Sequence, residues 1–145
     1  MSLALNYDDW IHLDAEGLAE TGIKTAYDEL LPKLRKYIAS AAPIEERMDN
    51  EVPSYSVVCR GVEYFIYGRG DQEQSWGNAT FAFFDIVNRQ LERTGYRFFA
   101  INGGNDLGGM FLTPAEAEAA RKSLPRKADW PYLPKLERPW YGQYH

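Results

Sequence analysis

Two runs of β-forming residues separated by only two positions constrain the fold of this chain more than any other feature. The first run covers residues 55–59 and the second covers residues 62–67. Both are rich in β-branched and aromatic side chains, which favour strands. Because only Arg60 and Gly61 lie between them, a tight turn is the natural connection, and we predict an antiparallel hairpin.

A second pair of strands is predicted further along the chain, at residues 96–101 and 107–112. The intervening residues 102–106 are dense in Gly and Asn, which suit the positive φ angles of a turn. Within the last strand, Gly108 and Gly109 predict a bulge or a close approach by another backbone. Because both pairs are joined by short turns, we predict a mostly antiparallel sheet of four or more strands.

Residues 18–40 form the first predicted helix. Apolar side chains recur there at steps of three and four residues, which is the spacing of one helical face. Pro32 falls inside this stripe and predicts a kink, since it removes one backbone hydrogen bond. The polar residues 41–54 that follow are predicted to form a connection.

Two further helices are predicted beside the second pair of strands. Asn78 is a suitable N-cap for a helix that runs to about residue 93, and the wide apolar face of that helix predicts packing against a sheet. Residues 113–124 form the last helix, because Thr113 and Glu116 make a capping box and Pro114 occupies the first helical position.

The chain of 145 residues has the usual size of one domain, and we predict a single α+β domain with helices flanking the sheet. Its predicted parts are a helix at 18–40, a sheet with an inserted helix at 55–112, a helix at 113–124 and an extended tail at 125–145. The predicted core comprises Leu30, Leu34, Ile38, Phe84, Val87, Leu91, Phe99, Ile101 and Phe111. The tail holds four of the eight prolines and five aromatic residues, so it cannot be a long helix. The sequence leaves open whether the tail packs on the domain or binds a partner.

Catalytic and metal-binding patterns are not found in the sequence. The only histidines are His12 and His145, and Cys59 is the single cysteine, which leaves too few ligands for a metal site and no clear nucleophile–base pair. The glycine runs at 68–70 and 103–104 lack the features of a nucleotide-binding loop. We therefore expect no cofactor, and we expect a protein that binds rather than catalyses.

Two alternative functions remain open. A small hydrolase would need two carboxylates that meet in space, and Glu63, Asp85 and Asp106 are the candidates. A ligand-binding domain would instead use the many tyrosines and tryptophans in a pocket between the sheet and the tail.

Acidic residues are concentrated in the first third of the chain. Residues 1–51 hold 11 acids and 5 bases, whereas residues 52–145 hold 10 acids and 11 bases. An acidic surface suits a basic protein partner and repels nucleic acid, although a solvated helix face accounts for the same pattern. We expect a protein partner and no nucleic acid.

The composition predicts a cytoplasmic protein that does not enter a membrane. One cysteine cannot form an internal disulfide, and the first residues lack the positive start and apolar run of a signal peptide. No stretch approaches the roughly 20 apolar residues that span a bilayer.

The glycine-rich loop at residues 68–78 is the predicted binding surface. Carboxylates next to an exposed tryptophan would anchor a basic protein. The competing interpretation buries Trp76 in the core and leaves the acids only to solvate the loop. With the neighbouring turn included, the predicted partner-binding residues are Asp71, Glu73, Trp76, Asn105 and Asp106.

The middle of the chain resembles a family of bacterial polymorphic-toxin immunity proteins, the immunity protein 51 type. The resemblance lies in an ordered series of segments at 76–78, 83–88, 96–107 and 111–113, and it covers about residues 63–124. Its most specific parts are Trp76-Gly77-Asn78 and Gly103-Gly104-Asn105-Asp106-Leu107. The resemblance implies a protein that neutralises a toxin by direct binding, without a catalytic residue. It does not imply the class of the toxin.

Overall fold

The computed structural model describes residues 5–68 and 73–145 and has an α+β architecture. Two antiparallel sheets of three strands each are present in these ranges, with four α-helices. The first sheet has the order β2-β3-β4 and comprises Ile44–Asp49, Ser54–Cys59 and Val62–Tyr67. The second has the order β1-β6-β5 and comprises Ile11–His12, Gly108–Leu112 and Arg97–Ile101. The helices are α1 (Ala15–Glu20), α2 (Ile23–Leu34), α3 (Ser75–Gln90) and α4 (Pro114–Ser123).

The prediction of one sheet with four or more strands is wrong, because the two predicted hairpins belong to different sheets. Helix α3 lies between them in sequence and contacts both β4 and β5. Strands β4 and β5 are not hydrogen-bonded to each other, and each packs against α3. The helix therefore joins the two sheets through side-chain packing.

The first predicted hairpin is confirmed. Strands β3 and β4 pair antiparallel from Cys59↔Val62 to Tyr55↔Tyr67. The two turn residues have positive φ angles, 51° for Arg60 and 80° for Gly61, which is the conformation of the type I′ turns that favour two-residue hairpins.

Strand β2 lies within the segment that was predicted to be a connection. It pairs with β3 along its whole length, from Ile44↔Cys59 to Asp49↔Ser54. Only Ile44 of this strand is buried, so the alternation of apolar and polar residues that marks a strand in sequence is missing. Such charge on an edge strand is common, because it discourages pairing with other chains.

The second predicted hairpin is also confirmed, and the glycines of its second strand lie beneath aromatic rings. Strands β5 and β6 pair without a register shift from Arg97↔Leu112 to Ile101↔Gly108, so there is no bulge. An ideal Cβ at Gly109 would lie 2.3 Å from a ring atom of Phe98, and one at Gly108 would lie 2.2 Å from the Trp10 ring. The closest atoms over these glycines belong to aromatic side chains, and the backbone of β1 also pairs with them, Ile11↔Gly109 and His12↔Gly108.

The first predicted helix is two helices. Helix α1 ends at Glu20 and α2 begins at Ile23, and the chain turns between them at Gly22, where φ is 121°. Pro32 lies inside α2, which continues past it to Leu34. The helix then ends earlier than predicted.

The predicted start of α3 is wrong by four residues. The helix begins at Ser75 with Gln74 at the N-cap position, so Asn78 lies within the first turn. The Asn78 side chain donates instead to the carbonyl of Ile66 at 3.0 Å, which ties the helix to β4.

The capping box at the start of α4 is confirmed. The Thr113 hydroxyl accepts from the backbone N–H of Glu116 at 3.1 Å, and the Glu116 carboxylate accepts from the Thr113 N–H at 2.8 Å. Pro114 is the first residue of the helix, as predicted.

The core has two parts. The main cluster joins α1, α2 and α3 to both sheets, and a second cluster lies between α4 and the β5–β6 pair. Seven of the nine predicted core residues are buried; Ile38 and Phe111 are only partly buried. Ile38 follows the end of α2, and the Phe111 ring stacks on the half-buried Tyr37 with ring centroids 4.5 Å apart.

The C-terminal tail packs on the domain. Tyr132 and Ala100 exchange two backbone hydrogen bonds of 2.8 and 2.9 Å, which covers the free edge of β5. The Tyr132 hydroxyl also donates to the carbonyl of Asn102 at 2.6 Å. In the ranges that the structure describes, none of the helices has the length and apolar character that crossing a bilayer requires.

Candidate functional site

An open groove of about 470 Å³ lies where three distant segments of the chain meet. One wall is the start of α3, the second is the turn after β5, and the third is the tail. The side chains that line it include Glu73, Trp76, Tyr132, Arg138, Trp140 and Tyr141. Four of these are aromatic, so the groove offers ring surface alongside polar and charged side chains.

The helical wall is held rigidly by its own first turn. Thr80 donates from its hydroxyl to the carbonyl of Trp76 at 2.8 Å, and Asn78 fastens the same turn to β4. The Trp76 side chain lies on the outer side of this turn and is 37% exposed. Of the two interpretations of Trp76, the surface position is confirmed and the core position is wrong.

The tail wall depends on a glycine of α3. The Tyr141 hydroxyl donates to the side-chain oxygen of Gln74, and the Tyr141 ring lies directly on Gly77. An ideal Cβ at Gly77 would be 2.1 Å from the Tyr141 ring. Any other residue at this position would therefore push the tail away from the helix.

The end of the tail forms a closed loop next to this contact. The N–H of Tyr141 donates to the carbonyl of Glu137 at 2.7 Å, and the N–H of Lys135 donates to the carbonyl of Tyr141 at 2.9 Å. Trp140 lies within this loop and is 47% exposed. The loop thus presents a large aromatic side chain to solvent beside the groove.

Acidic side chains border the groove at the turn after β5. The Asn105 amide donates to the carboxylates of Asp14 at 3.0 Å and Glu16 at 3.3 Å. A hydrogen bond with Glu16, then burial and repulsion from the Glu16 and Asp14 charges, raises the pKa of Glu20 above its ordinary value. Mutual repulsion of these groups favours a cation nearby.

The predicted partner-binding residues are only partly brought together. Glu73 and Trp76 line the groove, together with the turn glycines Gly103 and Gly104. Asn105 and Asp106 are exposed just beyond those glycines and are absent from the lining. Asp71 lies outside the described residues.

The lining residues that the sequence did not place in the site belong to the tail, apart from Ala15 and Thr80. Arg138, Trp140 and Tyr141 lie next to Trp76 only because the tail folds back over the domain. The aromatic and proline content of the tail indicated an unusual segment, but it did not indicate where the segment would pack.

The candidate carboxylates of a hydrolase do not form a pair. Glu63 lies on the outer face of the first sheet, where it accepts from the Ser56 hydroxyl at 3.0 Å and pairs with Arg47 at 3.5 Å. The neighbouring residue in the strand points to the opposite face, since strand side chains alternate.

The neighbouring strand residue, Tyr64, binds the second candidate carboxylate, Asp85. The Tyr64 hydroxyl donates to Asp85 at 2.5 Å, and Arg89 donates to the same oxygen at 2.7 Å. Burial and then this bond raise the pKa of Tyr64 above its ordinary value. Asp85 and Glu63 thus lie on opposite sides of the first sheet, and Asp106 lies in a turn of the second.

Neither the single cysteine nor the possible metal ligands form a reactive centre in the described residues. Cys59 is buried at the end of β3, and burial raises the pKa of its thiol, which makes the thiolate scarce. Within residues 5–68 and 73–145, no group of three or more His, Cys, Asp or Glu side chains is arranged to hold a metal ion.

The arrangement can hold another molecule against aromatic side chains with carboxylates along one border.

Comparison with protein-family models, with characterised proteins and with solved structures finds no match for this chain. The resemblance to toxin immunity proteins stays a prediction from the sequence motifs.

Proposed function

We propose that this chain is a non-catalytic binding protein that neutralises a bacterial toxin in the cytoplasm by direct protein–protein binding. The observation that carries the proposal is the convergence of the predicted loop, the predicted turn and the tail on one aromatic groove. Tryptophan and tyrosine are enriched among residues that contribute most to protein–protein affinity. The sequence resemblance supports the toxin as the partner.

The distribution of exposed apolar side chains supports a docking face. Ten large apolar side chains are exposed in the described residues. Two of them, Trp76 and Trp140, line the groove, and Leu133, Leu136 and Tyr144 lie elsewhere in the tail. Single exposed apolar residues are normal, but two exposed tryptophans on one groove are typical of an interaction site.

The charge along one border of the groove favours a toxin with a basic surface. Glu73 lines the groove, and Asp14 and Glu16 lie beyond the turn that forms its second wall. Complementary charge accelerates association more than it raises affinity. Reversal of these charges should therefore act mainly on the association rate.

The test is to co-express the chain with the product of the adjacent gene and to follow growth and complex formation. Wild-type protein should restore growth in cells that make the toxin. The double variant Asp71→Lys/Glu73→Lys should associate about tenfold more slowly at low salt, with a weaker dependence on salt and an unchanged free energy of unfolding.

A matched control comes from Asp28 and Glu29, two adjacent exposed acids on α2, away from the groove lining. The variant Asp28→Lys/Glu29→Lys changes the net charge by the same amount. Equal association rates for the wild type and the groove variant would remove this border from the binding site. Failure of the wild type to protect cells from the adjacent gene product would remove the immunity function.

A small-ligand-binding domain is the second candidate, because the groove volume of about 470 Å³ falls within the range of ligand pockets, about 300–1,000 Å³. Its walls include three aromatic side chains from the tail, Tyr132, Trp140 and Tyr141. A thermal-shift screen of the purified chain with small metabolites separates this function from toxin binding. A ligand in the groove should raise the Tm of the wild type and leave the Tm of Trp140→Ala unchanged.

A further inference from the structure

The loop at the end of the tail is a preformed protrusion beside the groove. Its two backbone hydrogen bonds, Tyr141 to Glu137 and Lys135 to Tyr141, close the loop on itself. Leu136 is 59% exposed and Trp140 is 47% exposed. The Trp140 ring stacks on His145 with ring centroids 4.5 Å apart, and the rest of it is open to solvent. Little conformational entropy would be lost when a loop that is already closed is buried in an interface.

This protrusion and the groove lie on the same face, since Trp140 also lines the groove. When one face carries both a loop and a groove, a twofold rotation can place the loop of each copy in the groove of the other. In such a pair the loop of each copy covers the groove of the other. The association closes as a dimer and does not extend into a filament, because each copy uses one patch only.

The charges of this face are self-complementary as well. Arg138 lines the tail side of the groove, and Lys135 lies in the adjacent loop, where these two bases outnumber the exposed Glu137, whereas Glu73 lines the helical side. A twofold rotation brings the basic side of one copy against the acidic side of the other. These local contacts oppose the repulsion between two chains of net charge −5, which is screened beyond about 8–10 Å at physiological salt.

We propose that the groove face is the interface of a homodimer, in which the loop of residues 133–141 of each copy covers the groove of the other. A second copy fits this face better than a polyanion, because the carboxylates at Glu73, Asp14 and Glu16 repel nucleic acid and anionic lipid. The dimer does not depend on the proposed function. If the toxin uses the same groove, dimer formation and toxin binding exclude each other.

The first test measures the mass of the purified chain alone by sedimentation equilibrium over a concentration series. The expected mass at high concentration is twice the 16.6 kDa of one chain, and it falls toward the single-chain mass on dilution. Trp140→Ala should raise the dimer Kd by at least about tenfold, and Leu136→Ala should raise it in the same direction. Phe65→Ala is the matched control, since Phe65 is 52% exposed on the outer face of the first sheet.

The second test uses a charge exchange between Arg138 and Glu73. Arg138→Glu alone and Glu73→Arg alone place like charges at both equivalent contacts of the dimer, so each should dimerise more weakly than the wild type. A mixture of the two single variants restores opposite charges at both contacts and should form a heterodimer in preference to either homodimer. Circular dichroism and thermal unfolding confirm that each variant is folded.

These experiments contain no toxin, so their outcome is independent of immunity. A chain that stays at the single-chain mass at every concentration would overturn the proposal. So would a dimer whose Kd is the same in Trp140→Ala and in the charge variants, because that dimer would use another face.

Discussion

The ring of Phe98 connects the main layers of the molecule. It stacks on Phe84 of α3 and packs at a tilt against Phe111 of β6, with ring centroids 4.8 and 4.7 Å apart, and it fills the space over Gly109. The backbone N–H and carbonyl of Phe98 are both held by the side chain of Asn88, at 2.7 and 2.9 Å. Because every side of this residue is occupied, its position cannot adjust to added volume.

Gly109→Ala is therefore expected to lower the free energy of unfolding by about 1–3 kcal/mol, as overpacked cores do. The added methyl group would start 2.3 Å from the Phe98 ring. Chemical denaturation measures the change. Gly95→Ala is the control, since among the described residues no atom beyond its two chain neighbours lies within 4 Å of its added Cβ. Its free energy of unfolding should stay within about 0.5 kcal/mol of the wild type. Equal effects of the two substitutions would contradict the packing argument.

Helix α3 is the element that holds the structure together. Its side chains bond to β4 through Asn78, to β5 through Asn88 and, through Gln90, to the N–H of Ala42, which precedes β2. Its buried face packs against strands of both sheets. The wide apolar face of α3 that the sequence predicts packs against both sheets.

Truncation of Phe84 tests the contribution of this helix. Phe84 is fully buried and stacks on Phe98, so Phe84→Ala should cost about 3–5 kcal/mol through lost burial and a cavity. Phe65→Ala makes the same substitution at an exposed strand position, and it should cost well under half as much. Urea denaturation compares the two. A loss below about 1 kcal/mol for Phe84→Ala would show that the buried face of α3 contributes less than cavity formation requires.

Across the whole molecule, buried tyrosines couple stability to alkaline pH. Burial raises the pKa of Tyr55 and Tyr64 in the first sheet and of Tyr132 in the tail above its ordinary value. At Tyr55 and Tyr64 the hydrogen bonds to Glu46 and Asp85 act in the same direction. The unfolded chain loses these phenolic protons near pH 10, whereas the folded chain retains them to higher pH.

The free energy of unfolding should therefore fall as the pH rises above about 10, because there the unfolded state binds fewer protons than the folded state. Below that pH the contribution is fully present. Tyr132→Phe should lower the free energy of unfolding by about 1 kcal/mol at neutral pH, because it removes the hydrogen bond to Asn102. The free energy of unfolding of this variant should also decline less steeply at alkaline pH. Urea denaturation at a series of pH values measures both. An unchanged alkaline slope would mean that Tyr132 does not contribute to it.

Elements whose signals lie within a few residues are predictable from the amino-acid sequence. The Arg60-Gly61 turn, the β5–β6 hairpin and the capping box of α4 were predicted, because turn angles and caps depend on adjacent residues. For the candidate site, Glu73 and Trp76 were predicted because they lie in a loop between strong elements, and such loops commonly carry recognition.

Tertiary structure alone decided the division into two sheets, the strand β2 and the position of the tail. Strand β2 forms from charged residues because β3 supplies its hydrogen bonds. Tyr141 reaches Gln74 across 67 positions of the chain, and no local pattern encodes that contact. The physical reason is that backbone pairing and ring packing between distant segments depend on the shape that the rest of the fold presents, so the aromatic wall of the groove exists only after the tail has docked.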